Sequence, residues 1–218
     1  SGCCERWWSN DGINWTQVTE DIPADDQYYE SLRDMQYVGG MFVGSGGGGS
    51  QSRNALSPDG VTWTHNLVAP GGSWQGGGGF VDGVYLSAGG NGQARYSLDA
   101  GATWQTTTVG ISTHRRYAIS GPDRVVALGD AVQGGSYASV TLDGMNWQSA
   151  LIPNMHLCEP AYGNGVYVGS CNTPDQPSHY ATSLDGLTWT PIGLFSPNLQ
   201  MSTLFFFFFF WKKIFKKN

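Results

Sequence analysis

No lysine occurs before position 212, and all four lysines crowd into the last seven residues. Without them, residues 1–204 carry seven arginines against 17 acidic residues, a net charge of −10. An acidic body with no basic stripe argues against a nucleic-acid partner and against an anionic membrane surface. Histidine is scarce: His65, His114, His156 and His179 are scattered without ligand spacing, so no metal site is expected. Helical patterning is missing too, with no 3.6-residue apolar periodicity before the C-terminal tail. No apolar run approaches the roughly 18 residues that mark a transmembrane helix, so no transmembrane segment is expected. The glycine run Gly44–Ser50 lacks the Lys-Ser/Thr and the following helix of a phosphate loop, and reads as a flexible strand connection. Nothing implies a cofactor. The chain begins at Ser1 with neither Met nor an apolar signal segment, which reads as a processed protein or a fragment.

What is present is one short motif, five times over. The copies are Ser9 to Trp15, Ser57 to Trp63, Ser97 to Trp104, Thr141 to Trp147 and Ser183 to Trp189. Each holds an aspartate two residues after the Ser or Thr: Asp11, Asp59, Asp99, Asp143 and Asp185. Each ends on a tryptophan, and these are spaced 48, 41, 43 and 42 residues apart. Ser-x-Asp followed by Gly is turn chemistry, because the carboxylate accepts backbone N–H groups just ahead and Gly supplies a positive φ. The tryptophan then opens the next strand and buries a large face. A period near 42 with strand-and-turn composition is that of a β-propeller blade.

The motif resembles the Asp-box, or bacterial neuraminidase repeat, written S-x-D-x-G-x-T-W. Ser97 to Trp104 matches every fixed position, and the other four copies are one residue shorter. The resemblance covers about residues 9 to 192. It implies an all-β propeller of four-stranded antiparallel blades in the sialidase-like superfamily. Sialidases, xyloglucanases, sortilin-type receptors and photosystem assembly factors share that architecture, so it implies a fold and not an activity. About five blades are visible, as in a fragment of a six- or seven-bladed ring. The partial first blade falls at 1–20 and full blades at about 31–68, 73–110, 114–152 and 156–193. Residues 197–203 start another. In the clearest blade the strands are expected at Arg116–Ser120, Arg124–Gly129, Tyr137–Asp143 and Asn146–Ile152. The turns before the second strands are Gly39-Gly40, Asp82-Gly83, Asp123-Arg124 and Asn164-Gly165, of which Asp123-Arg124 suits a two-residue hairpin least.

Residues 204–218, a poly-Phe run with a lysine-rich end, stand outside the pattern. They read as a membrane-surface anchor or as a foreign end appended by an AT-rich or shifted reading frame. Cys158 and Cys171 fall on neighbouring strands joined by a tight turn, which suits either a disulfide or two buried thiols. Cys3 and Cys4 are adjacent and do not suit a bond to each other. An oxidising, secreted or cell- or virion-surface setting is the expectation.

In propellers, ligands meet the face opposite the repeat turns. The loops leading into first strands bring Tyr28, Arg33, Trp74, Arg115, Arg116 and His156 to that face as candidate ligand-binding residues. Arg53, Tyr137 and His179, each four residues before the repeat Ser or Thr, fall at equivalent points. A sialidase-like site implies a Tyr nucleophile activated by Glu, an Asp acid/base and an arginine clamp on a carboxylate. Tyr28, Tyr29 or Glu30 are the candidates for the nucleophile pair and Arg33, Arg53, Arg95, Arg115 or Arg116 for the clamp, with Asp26 a further catalytic candidate beside Tyr29 and Glu30. The Arg-Ile-Pro segment that precedes the first repeat in sialidases is absent; Asp21-Ile-Pro23 follows the first repeat instead. A xyloglucanase-like site implies two carboxylates across a cleft between propellers, for which Asp25, Asp26, Glu30 and Asp34 are the acidic cluster. The reading favoured by these residues is a non-catalytic module that recognises glycan or protein. Trp74 serves there as a stacking platform or as packing around the axis. A glycoside hydrolase and a structural scaffold are the alternatives. Oligomeric state is not encoded in any motif.

Overall fold

The computed structural model describes residues 6–18, 32–48, 51–70, 75–89, 92–110, 116–130, 134–157, 159–171 and 179–194. All regular structure in them is β. A two-stranded sheet, β1 (Arg6–Trp8) and β2 (Thr16–Val18), comes first. Four four-stranded antiparallel meanders follow. Blade 1 is β3 (Leu32–Val38), β4 (Met41–Gly48), β5 (Gln51–Ser57) and β6 (Thr64–Pro70). Blade 2 is β7 (Gln75–Val81), β8 (Val84–Gly89), β9 (Gln93–Ser97) and β10 (Gln105–Thr108). Blade 3 is β11 (Arg116–Ser120), β12 (Val125–Asp130), β13 (Ser136–Thr141) and β14 (Trp147–Ile152). Blade 4 is β15 (Glu159–Gly163), β16 (Val166–Cys171), β17 (His179–Ser183) and β18 (Thr190–Leu194). The first strands β3, β7, β11 and β15 touch in succession and surround the axis of a β-propeller. The four blades and the β1–β2 hairpin account for the five repeats of the sequence.

The repeat turn joins the third and fourth strand of each blade, and its hydrogen bonds explain its residue types. In Thr141–Trp147, the Thr141 hydroxyl donates to Asp143 Oδ1 at 3.1 Å and accepts the Gly144 N–H at 2.8 Å. Asp143 Oδ1 accepts the N–H groups of Met145 (2.9 Å) and Asn146 (2.8 Å), while Oδ2 takes the Asn146 side chain at 2.7 Å. The same set recurs around Asp11, Asp59 and Asp185. The longer copy absorbs its extra residue by placing Ala100 at φ 54 ahead of Gly101 at φ 87. Gly101 N–H still reaches Ser97 Oγ at 2.7 Å, so the lock survives the insertion. Trp63, Trp104 and Trp189 each donate Nε1–H to a turn glycine carbonyl at 3.0 Å.

A second repeated device is a cross-strand ring pair flanking the first turn of a blade. Tyr37 faces Phe42 (centroids 4.8 Å), Phe80 faces Tyr85 (4.8 Å) and Tyr162 faces Tyr167 (4.6 Å). Blade 3 has Ser120 opposite Val125 at this place instead of a ring pair. There the connection is the four-residue segment 121–124, closed by Gly121 N–H to Arg124 O at 2.8 Å. That is the physical reason Asp123-Arg124 fits a two-residue hairpin poorly.

Blades pack leading face to trailing face. Tyr85 joins Val43 and Leu56 of blade 1, with Phe80 and Trp104 against them. Tyr167, Ala181 and Trp189 join Val126, Leu128, Ala138 and Val140 of blade 3. Glycine sets the spacing where strands crowd. At Gly77 a Cβ would lie 2.1 Å from the Ala118 backbone nitrogen, so β7 approaches β11 only because it carries no side chain there. At Gly186 (φ +80) a Cβ would lie 2.3 Å from Val126 Cγ2.

Candidate functional site

The meander fixes two unlike ends. One end carries the repeat turns and the first turn of each blade. The other carries the second-to-third strand connections and the segments that pass from blade to blade. Polar contacts at the first end are structural. Arg124 grips Asp123 through Nε (2.9 Å) and Nη2 (2.7 Å), and its Nη1 donates to the Asp185 carbonyl of the next blade at 3.1 Å. Tyr85 donates its hydroxyl to Gly39 O of blade 1 at 3.1 Å.

The repeat carboxylates are held ionised. Backbone N–H donation from Asn146, then the Asn146 side chain and the Met145 N–H, pull Asp143 down to about 2. Thr62 and Val61 N–H groups do the same for Asp59, to about 2. The Thr103 hydroxyl and N–H do so for Asp99, also about 2. For Asp11 the Asn14 and Ile13 N–H groups carry it well below the ordinary carboxylate value. Around Asp185 burial pushes upward, but the N–H groups of Thr188 and Leu187 and the side chains of Ser183 and Thr188 together outweigh it, to about 2. A carboxylate so placed does not donate a proton near neutral pH, and its oxygens already accept from N–H and O–H donors. These residues are turn locks.

The axis is closed by a residue the sequence reading passed over. Gln36, on β3, donates Nε2–H to Gly78 O (2.8 Å) and to Ala118 O (2.7 Å), and its Oε1 accepts the Ser120 N–H at 3.3 Å. One side chain thus ties the first strands of three blades. Ser120 Oγ in turn accepts the Phe80 N–H at 2.8 Å. The signal in the sequence was the run Gly76–Gly79, which sits where blade 3 has Arg116, Tyr117, Ala118 and Ile119.

At the opposite end, Asp26, Tyr28, Tyr29, Glu30, Trp74, Arg115 and Cys158 lie outside the described residues. Arg33 and Arg116 are placed by their backbones near the starts of β3 and β11, Arg33 inside the irregular step between Leu32 and Asp34. Cys171 ends β16 opposite His179. His156 is half-buried in the passage from blade 3 to blade 4, which is anchored by the buried Leu157 and its N–H to Ser136 Oγ at 2.6 Å. Arg53, Tyr137 and His179 do hold one rung: they pair with Gly46, Gly129 and Cys171, each four residues beyond the partner of the repeat Ser or Thr. The Gly44–Ser50 reading needs correction. Residues through Gly48 belong to β4 and pair as far as Gly48 with Gln51, so the glycines form a ladder rather than a flexible connection. Among the described residues no cluster of three or more His, Cys, Asp or Glu could hold a metal ion, and no helix is long and apolar enough to cross a membrane.

No family model matches the sequence, and no curated protein is similar to it. Solved structures share the fold. A GH43 β-xylosidase/α-arabinofuranosidase from a compost microbial metagenome superposes with TM-score 0.51 at 10% identity, over 74% of this chain and 76% of that one. Trypanosoma rangeli sialidase gives 0.52 at 11% identity, over 86% of this chain but 40% of the sialidase. YCF48 bound to D1 peptide gives 0.50 at 18% identity, over 72% of this chain and 52% of that one. At these identities the likeness establishes a β-propeller of the kind seen in sialidases and GH43 enzymes, and nothing about activity.

Proposed function

We propose that this chain is an Asp-box propeller that serves as a non-catalytic recognition module, secreted or displayed on a cell or virion surface. Its ligand is a glycan or a protein segment, met by the face opposite the repeat turns. The observation that carries the reading is how the fold uses its most regular carboxylates. Asp11, Asp59, Asp99, Asp143 and Asp185 are tied to turn N–H groups. The end they occupy is occupied with holding blades together, and the other end carries the non-repeating residues. Its candidate contacts are Tyr28 and Trp74 as stacking surfaces, Arg33, Arg115 and Arg116 as anion contacts, and His156. The likeness to a propeller bound to a peptide supports a protein ligand, and the likeness to carbohydrate-active propellers supports a glycan. The latter also favours the second reading, a glycoside hydrolase using Glu30, Tyr29 or Asp26. A glycan array probed with the full chain, with fluorogenic sialoside and β-glucan hydrolysis run on the same preparation, separates them. Binding without turnover, weakened about tenfold or more by Trp74→Ala, is the expected result. Turnover abolished by Glu30→Gln overturns it in favour of the hydrolase.

A further inference from the structure

The N-terminal hairpin is half a blade. Its Ser9–Trp15 turn joins β1 to β2 as the other copies join a third strand to a fourth, so β1 and β2 hold the outer two places of a blade. Among the described residues β1 pairs with β2 and with no other strand. Its inner edge is therefore a template for a further strand. Exposure points to the same place from both sides. The ring pairs Phe80–Tyr85 and Tyr162–Tyr167 pack on the blade before them, where Tyr85 and Tyr167 are buried. The matching pair of blade 1, Tyr37–Phe42, lies on the face turned away from blade 2. There Tyr37 is 62% exposed, and Met35, on the same side of β3, is 49% exposed. Both are on a first strand, which the inner strands of a preceding blade cover. On the hairpin, Trp7 and Trp15 hold the places of Ala181 and Trp189 in blade 4. Blade 3 covers those two, leaving Trp189 8% exposed, whereas Trp7 and Trp15 are 50% and 56% exposed.

The chain holds sequence for those inner places. Residues 195–218 follow β18 and lie outside the described residues. In blades 2, 3 and 4 the first strand starts twelve residues after the preceding repeat tryptophan (Trp63 to Gln75, Trp104 to Arg116, Trp147 to Glu159), which puts another start at Met201. In blades 2 and 4 the first turn begins 19 and 17 residues after that tryptophan, at Asp82 and Asn164, which puts another between Phe206 and Phe208. The poly-Phe run then straddles the hairpin of a first and a second strand. Its lack of polar alternation suits that position, because second strands are covered on both faces. All six residues of β8 are buried, and Val125, Val126, Ala127 and Leu128 of β12 are wholly so. Phenylalanine also favours the strand. The lysines beyond the run are complementary in charge to the acidic body of residues 1–204.

We infer that residues 201–213 dock on the N-terminal half-blade as its two inner strands, the second of them pairing with β1, and so close the ring at five blades. The docked strands cover Met35 and Tyr37, and closure brings blade 4 against Trp7 and Trp15. The inference is independent of the ligand reading of the loop face.

The turn of the docked hairpin supplies the test. In blades 1, 2 and 4 both residues of this turn have positive φ: Gly39 and Gly40, Asp82 and Gly83, Asn164 and Gly165. Phenylalanine is strained there, and Asn-Gly is not. In the full chain, either Phe206→Asn with Phe207→Gly or Phe207→Asn with Phe208→Gly should raise Tm by about 3 °C or more. A run that is unfolded, or that only anchors to a membrane, gains nothing from a better turn. Hydrogen exchange of the parent chain is the second readout. Amides of 201–213 should exchange on the order of 100-fold more slowly than in a free chain, at low and high protein concentration alike. The Met35 methyl should show NOEs to phenylalanine rings of the run. Free-chain exchange across 201–213, with Tm unchanged in both Asn-Gly variants, overturns the inference. So does protection that appears only as the chain dimerises, which assigns the strands to a second copy. Protection that appears only with vesicles of anionic phospholipid also overturns it, and makes the run a membrane anchor.

Discussion

At the residue scale, the repeat aspartate is the clearest case of a side chain whose identity follows from the backbone it serves. Two N–H groups point at one oxygen of Asp143, and a side-chain amide at the other. An alanine would leave those N–H groups to water, and an asparagine would lose the charge that strengthens each bond. Because the Asp143 carboxyl is held at about 2, below its ordinary 3.8, its contribution is complete above pH 4 and disappears as pH falls through the folded value. Tm measured from pH 5 down to pH 2 should therefore decline. Asp143→Ala should lower Tm by about 3 °C at pH 7 and flatten part of the acid slope. An unchanged slope in the variant would mean that this carboxylate does not couple to folding. Residues of this kind were legible in the sequence because the turn makes all of its hydrogen bonds within a few residues.

At the element scale, the strands of blade 3 lie within a residue or two of where alternation places them, and the four-residue turn at 121–124 explains the one hairpin that read poorly. The glycine run of β4 misled for a definite reason: composition reports the entropy of a free glycine chain, whereas ladder partners on β3 and β5 hold this one extended. Partners distant in sequence also separate two tyrosines that look alike. Tyr85 and Tyr167 each follow a first turn and each stack on a ring, yet Tyr85 donates to Gly39 O while the buried Tyr167 hydroxyl has no partner. Burial lifts the Tyr167 phenol far above its usual value. Tyr85→Phe should cost about 1 kcal/mol in urea unfolding, and Tyr167→Phe should be neutral or stabilising. Equal losses in both would show that the Tyr167 hydroxyl is satisfied in solution.

At the scale of the whole molecule, five spaced repeats made the propeller legible, whereas the binding face was not, because its residues do not repeat and period is what the eye follows. The Gln36 clasp escaped for a related reason: it depends on distant strands meeting, as in the Gln36–Gly78 and Gln36–Ala118 bonds at separations of 42 and 82. Blades that touch only their neighbours behave as a one-dimensional array, in which an end unit frays alone. Gln36 breaks that rule by joining blade 1 to blade 3. Gln36→Ala should cost about 2 kcal/mol by stranding two carbonyls and one N–H. It should also give amides of β3 and β4 faster hydrogen exchange than those of β11 and β12, where the parent chain exchanges them together. The same clasp sets a tempo. Blade 1 leaves the ribosome before blade 3, yet its first strand gains its full set of partners only after Ser120 has emerged, so the earlier blade waits on the later one before it can become stable.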